Sequence, residues 1–332
     1  MKVIRYEPVP LPIGAADTSN TEIAASVHRW VSARPMRDLV AAFDGTLPTA
    51  ETATGALLSW LDRFSAEHWD FRRRYGHVER DQVPPPRCTA PTTGLIHAAV
   101  IALGLVQPVR PAAGRYHHLL VLGGLAPACL QRTAYAAHLV RTGVVEVGEV
   151  AALGSFRPLR PTEFVRPDLD GCGYEVDAMS VGLRAGFGCE EPVESRSSAE
   201  VGTPGSWAVR KYRAPDGLTL RVLAAPSGEP ASRRANTADT YDFWTGQVRL
   251  NPGDRVLVVT SPSYVPFQHC DAVRMLRLGY GCAVETVGFD ASRFPDAPPA
   301  PTLAPDRYLQ EVRSAIRSMD SLYRALTPAT GG

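Results

Sequence analysis

From His117 onward the sequence alternates short runs of consecutive apolar residues with amphipathic stretches of helical length. That alternation admits few folds. Apolar runs at 118–124, 149–155, 218–225, 255–261 and 282–290 read as buried strands. The stretches at 126–142, 174–185, 237–248 and 267–278 read as the helices between them. Strand alternating with helix is the signature of a mainly parallel sheet covered on both sides. The expected class is therefore α/β: a Rossmann-like, mainly parallel sheet with helices on both faces. One departure is expected, since Pro215-Asp216-Gly217 is a hairpin turn signal that pairs 207–213 with the 218–225 strand.

The first 110 residues lack this texture and read as a helical N-terminal extension. Leu57, Leu61, Phe64, His68 and Phe71 recur at helical spacing, and shorter helices are expected over 22–33, 35–43 and 93–105. Pro84, Pro85 and Pro86 make the 82–91 link extended. Arg72, Arg73 and Arg74 read as a solvated helix end. Past a proline-rich stretch at 294–305, a last helix carries Leu309, Val312, Ile316, Met319 and Tyr323 on one face. The expected organisation is a helical region at 1–110 packed on a core, then an α/β domain at 111–332 that includes the C-terminal helix.

Charge and cysteine usage narrow the function classes. Thirty-five basic and 34 acidic residues leave a net charge of +1, which favours neither nucleic acid nor an anionic membrane surface as partner. Only Lys2 and Lys211 are lysines, so the basic complement is almost all arginine, a bias that genomic composition explains. The N-terminus has prolines and charges where a secretory signal needs an apolar core. The apolar stretch at 95–106 falls short of the roughly 20 residues that span a bilayer. The six cysteines form no CxxC pair, so reduced thiols in the cytoplasm are expected. The oligomeric state has no sequence signal.

The familiar nucleotide and hydrolase fingerprints are missing: no GxxxxGK[ST], no GxGxxG after a strand, no HExxH and no GxSxG. The Asp168-Leu169-Asp170-Gly171 run lacks the buried strand that an aspartyl-phosphate loop needs before it. His117 and His118 are adjacent, alternate across a strand and read as structural. The positive signal is positional. Gly123-Gly124 ends the first strand, Gly154-Ser155 with Arg157 follows the second, Asn236-Thr237 follows the third, and Thr260-Ser261 ends the fourth. Ligands of doubly wound sheets bind beyond the carboxyl ends of the strands. Glycine turns, helix N-termini and hydroxyl or amide side chains on that edge suit an anionic ligand. The competing reading is that these residues only cap helices.

The segments at 121–143, 235–240 and 256–269, with Ser232, Arg233, Asn236, Thr237 and Asp239, resemble the YdcF/SanA/ElyC-like family, a domain of unknown function with a Rossmann-like fold. The resemblance covers about residues 117–290. It places Arg132 as the helix arginine, and Tyr264 and Phe267 where the family usually has His and Arg. It implies an enzyme acting on a small polar, anionic metabolite by hydrolysis or group transfer, with no tightly bound metal. The rival it leaves open is a non-catalytic nucleotide or S-adenosylmethionine module with a protein partner. Arg132, Arg157 and Arg233 are the candidate cations, unless they pair with surface carboxylates such as Glu163 or Asp239 and bind nothing. Asp239 and His269 are the candidate acid–base groups.

Overall fold

The computed structural model describes residues 4–49, 51–70, 88–293 and 304–327. Phe71, Arg72–Arg74, Pro84–Pro86 and all but the last two residues of the 294–305 stretch lie outside them. The chain divides into two compact units. One comprises Met1–Gln107, Pro262–Arg274 and Ala300–Gly332; the other comprises Pro108–Ser261 and Met275–Pro299.

The first unit is helical. Its described helices are α1 (Asn20–Val31), α2 (Arg34–Ala41), α3 (Thr54–His68) and α4 (Ala90–Ala102). α1 is fixed by a reciprocal capping box between Ser19 and Glu22. Leu57, Leu61 and Phe64 of α3 are buried, as their spacing requires. The C-terminal helix (Pro305–Leu326, called α9 below) packs against α3, with Arg313 reaching the Asp62 carboxylate at 3.0 Å and the Ser65 hydroxyl at 2.9 Å. That helix therefore groups with the N-terminal helices rather than with the sheet. So does α8 (Val265–Ala272).

The second unit is built on a seven-stranded sheet of order β3-β4-β5-β2-β1-β6-β7. In chain order its elements are β1 (Arg115–Leu122), α5 (Ala126–Arg141), β2 (Glu146–Gly154), α6 (Glu175–Phe187), β3 (Glu194–Ser197), β4 (Ala208–Arg213), β5 (Thr219–Ala224), α7 (Thr237–Thr245), β6 (Arg255–Thr260) and β7 (Ala283–Gly288). β5, β2, β1, β6 and β7 run parallel, and β3 and β4 are antiparallel additions at one edge. This is the expected α/β, Rossmann-like architecture with a mixed rather than purely parallel sheet. Gly217 makes the predicted hairpin turn at φ +88°, a conformation that side chains with a Cβ rarely adopt.

Period-two alternation sorts the sheet into two faces. Leu119, Val121, Val150, Ala152, Leu220 and Val222 join the core cluster with α5 and α6. His118 lies on the opposite face, its ring 5.2 Å from Trp244 of α7. α5 and α6 meet so closely that a Cβ on Gly182 would lie 2.2 Å from the Thr133 hydroxyl. The chain steps from β1 to β2 and then outward to β5. It returns through α7 to β6, so β1 and β6 flank the topological switch point.

Candidate functional site

The carboxyl ends of β1 and β2 carry a buried cluster of charge. Glu175 is the first residue of α6, and burial pushes its carboxyl up from the usual carboxylate range; Arg157, the Ser155 hydroxyl and Arg132 pull the other way without prevailing. Ser155 donates to Glu175 Oε2 at 2.6 Å, inside the protein. Gly123 is glycine because of this carboxyl: an added Cβ would lie 2.2 Å from Glu175 Oε1 and 2.9 Å from the Leu153 carbonyl oxygen. Gly154 lies beside Val176 and Met179, where α6 crosses the strand end.

Arg157 forms a fork–fork pair with Glu163, at 2.6 Å to Oε1 and 2.9 Å to Oε2, and also donates to the Gly124 carbonyl at 2.7 Å. Glu163 is 2% exposed, so it is no surface carboxylate. Burial raises its pKa, but Arg157 and the backbone N–H groups of Ala126 and Arg160 outweigh that and hold it below the usual range. The bond from Ala126 N, 2.7 Å, matters locally, because α5 follows Leu125, which has no side-chain oxygen to cap it.

Arg132 is fully buried. Its guanidinium donates to the carbonyls of Leu122 and Gly123 and, at 3.1 and 2.9 Å, to the Ser261 hydroxyl. Arg132 thereby joins the ends of β1 and β6. Thr260, also fully buried, ends β6. The cluster thus holds two guanidiniums against Glu163, and against Glu175 only when that carboxyl is ionised.

The remaining expected residues have other partners. Asn236 and Asp239 form the reciprocal capping box of α7, with Thr237 as its first residue. Arg233 pairs with Asp239 and, at 3.2 Å, with Glu229. Burial would raise the Asp239 pKa; Arg233 and the N–H groups of Asn236 and Gly228 overcome it and hold the carboxyl low. Its acceptor sites are occupied by these bonds, which is a capping arrangement rather than that of a general base. His269 belongs to the helical unit, where it is buried and hydrogen-bonds the Pro12 carbonyl at 2.7 Å through Nε2. Burial lowers its pKa, and the Pro12 bond only partly offsets that. Tyr264 is in the same unit, packed edge-on against Phe267. Sequence reasoning named Glu163 as a possible arginine partner but not its burial, and it missed Glu175. The one available signal was Glu175 at the start of a helix that follows a Gly-Ser strand end.

Known proteins give the chain different relatives from those its motifs suggest. The family model for the Rv3785 N-terminal domain matches residues 14–104. The chain is 28% identical to the uncharacterized proteins Rv3785 of Mycobacterium tuberculosis and Mb3814 of Mycobacterium bovis, over 346 residues covering 97% of this chain and 96% of theirs. No solved structure gives a significant match. These findings overturn the resemblance to the YdcF/SanA/ElyC-like family. The shared features were strand ends followed by glycine or hydroxyl residues and an asparagine-capped helix, which parallel sheets of many lineages need. All six cysteines are free thiols, and among the described residues no helix is long and apolar enough to cross a membrane.

Proposed function

We propose that the carboxyl edge of the sheet is the site of a cytoplasmic enzyme acting on a small polar metabolite with an anionic group, by hydrolysis or group transfer. The observation that carries this reading is the buried Ser155–Glu175 pair beside Arg132 and Arg157. A carboxyl raised by burial next to two guanidiniums is an arrangement typical of proton-transfer sites. Glu175 takes the acid–base role that the sequence had assigned to Asp239 and His269. With Glu175 protonated, the two arginines face one carboxylate, and an anion at the glycine turns supplies the missing charge. A non-catalytic nucleotide or S-adenosylmethionine module is the second reading. It is favoured by the engagement of the two expected acid–base groups, Asp239 in the α7 cap and His269 with the Pro12 carbonyl.

The test is a thermal-shift panel of nucleotides, S-adenosylmethionine, sugar phosphates and acyl-coenzyme A, run as a series across pH. A ligand at roughly 100 times its Kd adds about 2.7 kcal/mol of stability. An anionic ligand should bind more tightly at the acid end of the series, Glu175→Gln should remove that pH dependence, and Ser155→Ala should weaken binding. Stabilisation by neutral or cationic compounds alone, or indifference to both substitutions, overturns the proposal. Turnover of the bound compound, lost in Glu175→Gln while binding persists, separates enzyme from module.

A further inference from the structure

At the other end of the same sheet, the α7 face breaks a rule that it keeps elsewhere. Interior strands of a parallel sheet are apolar on both faces, and Leu120, Ala151, Leu153, Leu223, Val256 and Val258 follow this. Toward the amino ends the apolar residues stop. His118 pairs across with Glu149 and Glu149 with Thr219. On β4, Lys211 and Arg213 stand opposite Arg221 and Thr219. Charged side chains replace a hydrophobic row across four strands, although desolvating each is costly.

These groups line a cavity of ≈ 390 Å³ lying wholly within the sheet unit. Its floor is a connected polar network. His118 Nδ1 lies 3.0 Å from Glu149, whose other oxygen accepts from Arg221 Nε at 3.3 Å. Asp254, just before β6, accepts from the Asn251 backbone at 2.8 Å and side chain at 3.3 Å. Both histidines approach this carboxylate, His118 at 3.6 Å and His117 at 3.7 Å, although they alternate across the strand. They meet there because Asp254 sits at the strand end, where the two faces converge. Among the described residues no His, Cys, Asp or Glu cluster suited to a metal ion occurs, here or elsewhere.

We propose that this cavity is a second binding site, for a ligand bearing a multiply charged phosphate group. Four basic side chains, Lys211, Arg213, Arg221 and Arg249, line it against two carboxylates. Both carboxylates are engaged in the floor, Glu149 with His118 and Arg221, and Asp254 with Asn251. The other three cations are not comparably engaged. Among the described residues Lys211 has only Glu194, at 3.9 Å, and Arg213 bonds the neutral Gly217 carbonyl and Thr219 hydroxyl. Arg249 is exposed and has no ion-pair partner among the described residues. His117 Nδ1 accepts the Arg255 N–H at 2.8 Å, which leaves its Nε2 to carry a proton at the same place. A monocarboxylate brings one charge to this group of cations, whereas a phosphate brings nearly two and three acceptor oxygens.

The experiment is calorimetric titration of the full chain with inorganic pyrophosphate at fixed ionic strength, with acetate as the monovalent comparison. Wild type should bind pyrophosphate and not acetate. Arg249→Ala and Lys211→Ala, which remove exposed or half-buried side chains, should each weaken binding about tenfold, the value of one charge-assisted hydrogen bond. Arg34→Ala, which removes an exposed arginine of the helical unit, should leave pyrophosphate affinity unchanged. Absence of pyrophosphate binding, or binding no tighter than acetate, overturns the proposal. So does full affinity in Arg249→Ala, and loss of affinity in Glu175→Gln alone would assign the phosphate to the carboxyl edge instead.

Discussion

Glu163→Gln should be among the most damaging near-isosteric changes in the sheet unit. Its carboxylate accepts from Arg157 and Arg160 N at one oxygen, and from Arg157 and Ala126 N at the other. An amide offers one oxygen and one NH₂, so in either orientation two N–H donors confront a third donor. The substitution also strands the Arg157 charge, whose side chain is 12% exposed against 3% for Glu163. Removing one partner of a buried pair costs about 3–5 kcal/mol, against 0–1 kcal/mol for an exposed pair. Burial this deep selects the larger figure. Urea denaturation at pH 7 measures the loss, and hydrogen exchange at the start of α5 should accelerate to the extent that the amide turns its NH₂ toward Ala126 N. Replacing both residues together by Met should recover much of the loss, since no charge is then stranded. The Glu163 pKa is depressed in the fold, so this stability is fully present above the unfolded value and lost as pH falls through the folded one. A cost below about 1 kcal/mol at pH 7 would show the pair to be solvent-screened and refute the reasoning.

Glu175 has the opposite sign. Its raised pKa means that the folded state holds the proton more tightly, so wild-type stability falls as pH rises from the unfolded value to the folded one. Glu175→Gln cannot titrate; its stability relative to wild type should climb across that window by at most about 1.4 kcal/mol per pH unit, and a difference flat from pH 4 to 8 in urea titrations refutes this. At the α5–α6 contact, Gly182→Ala should destabilise by about 1–3 kcal/mol through overpacking against Thr133, although alanine is the better helix former. Adding Thr133→Ala, which deletes the clashing hydroxyl, should restore most of it; thermal melting of the two variants decides, and a Gly182→Ala protein more stable than wild type would count against the close contact.

The parallel strands were legible because buried strands announce themselves as unbroken apolar runs, as in Leu119–Leu122 and Val256–Val259. β3 was not, since its four residues are all exposed and carry no periodic signal. The carboxyl-edge turns were legible as glycine and hydroxyl residues after strands. The carboxylates that organise them were hidden, because a glutamate buried against an arginine has the same sequence signature as one in solvent. Glu163 was expected at the surface and is buried; Glu175 read only as part of a helix. His118 was likewise opaque. That its neighbours across the sheet would be Glu149 and Asp254 depends on strand order and register, which local sequence does not encode.

The arginine bias shows the same limit from the other side. Genomic composition is the expected source of the near absence of lysine, and some arginines here make only contacts that a lysine could also make. Arg34 and Arg115, each with a side chain 78% exposed, make ion pairs of the kind worth little. Arg132 is different. It is fully buried and serves two consecutive carbonyls at the end of β1 and a hydroxyl at the end of β6 with three separate nitrogens, a geometry that needs the planar guanidinium. Arg157 likewise uses the fork, engaging both oxygens of Glu163 while another bond fixes Gly124. Composition counts these residues alongside the exposed ones; burial and acceptor geometry separate them. By that criterion the arginines that matter at the carboxyl edge are Arg132 and Arg157, whereas Arg233, one-third exposed and bound to a helix-capping aspartate, belongs to the scaffold of α7.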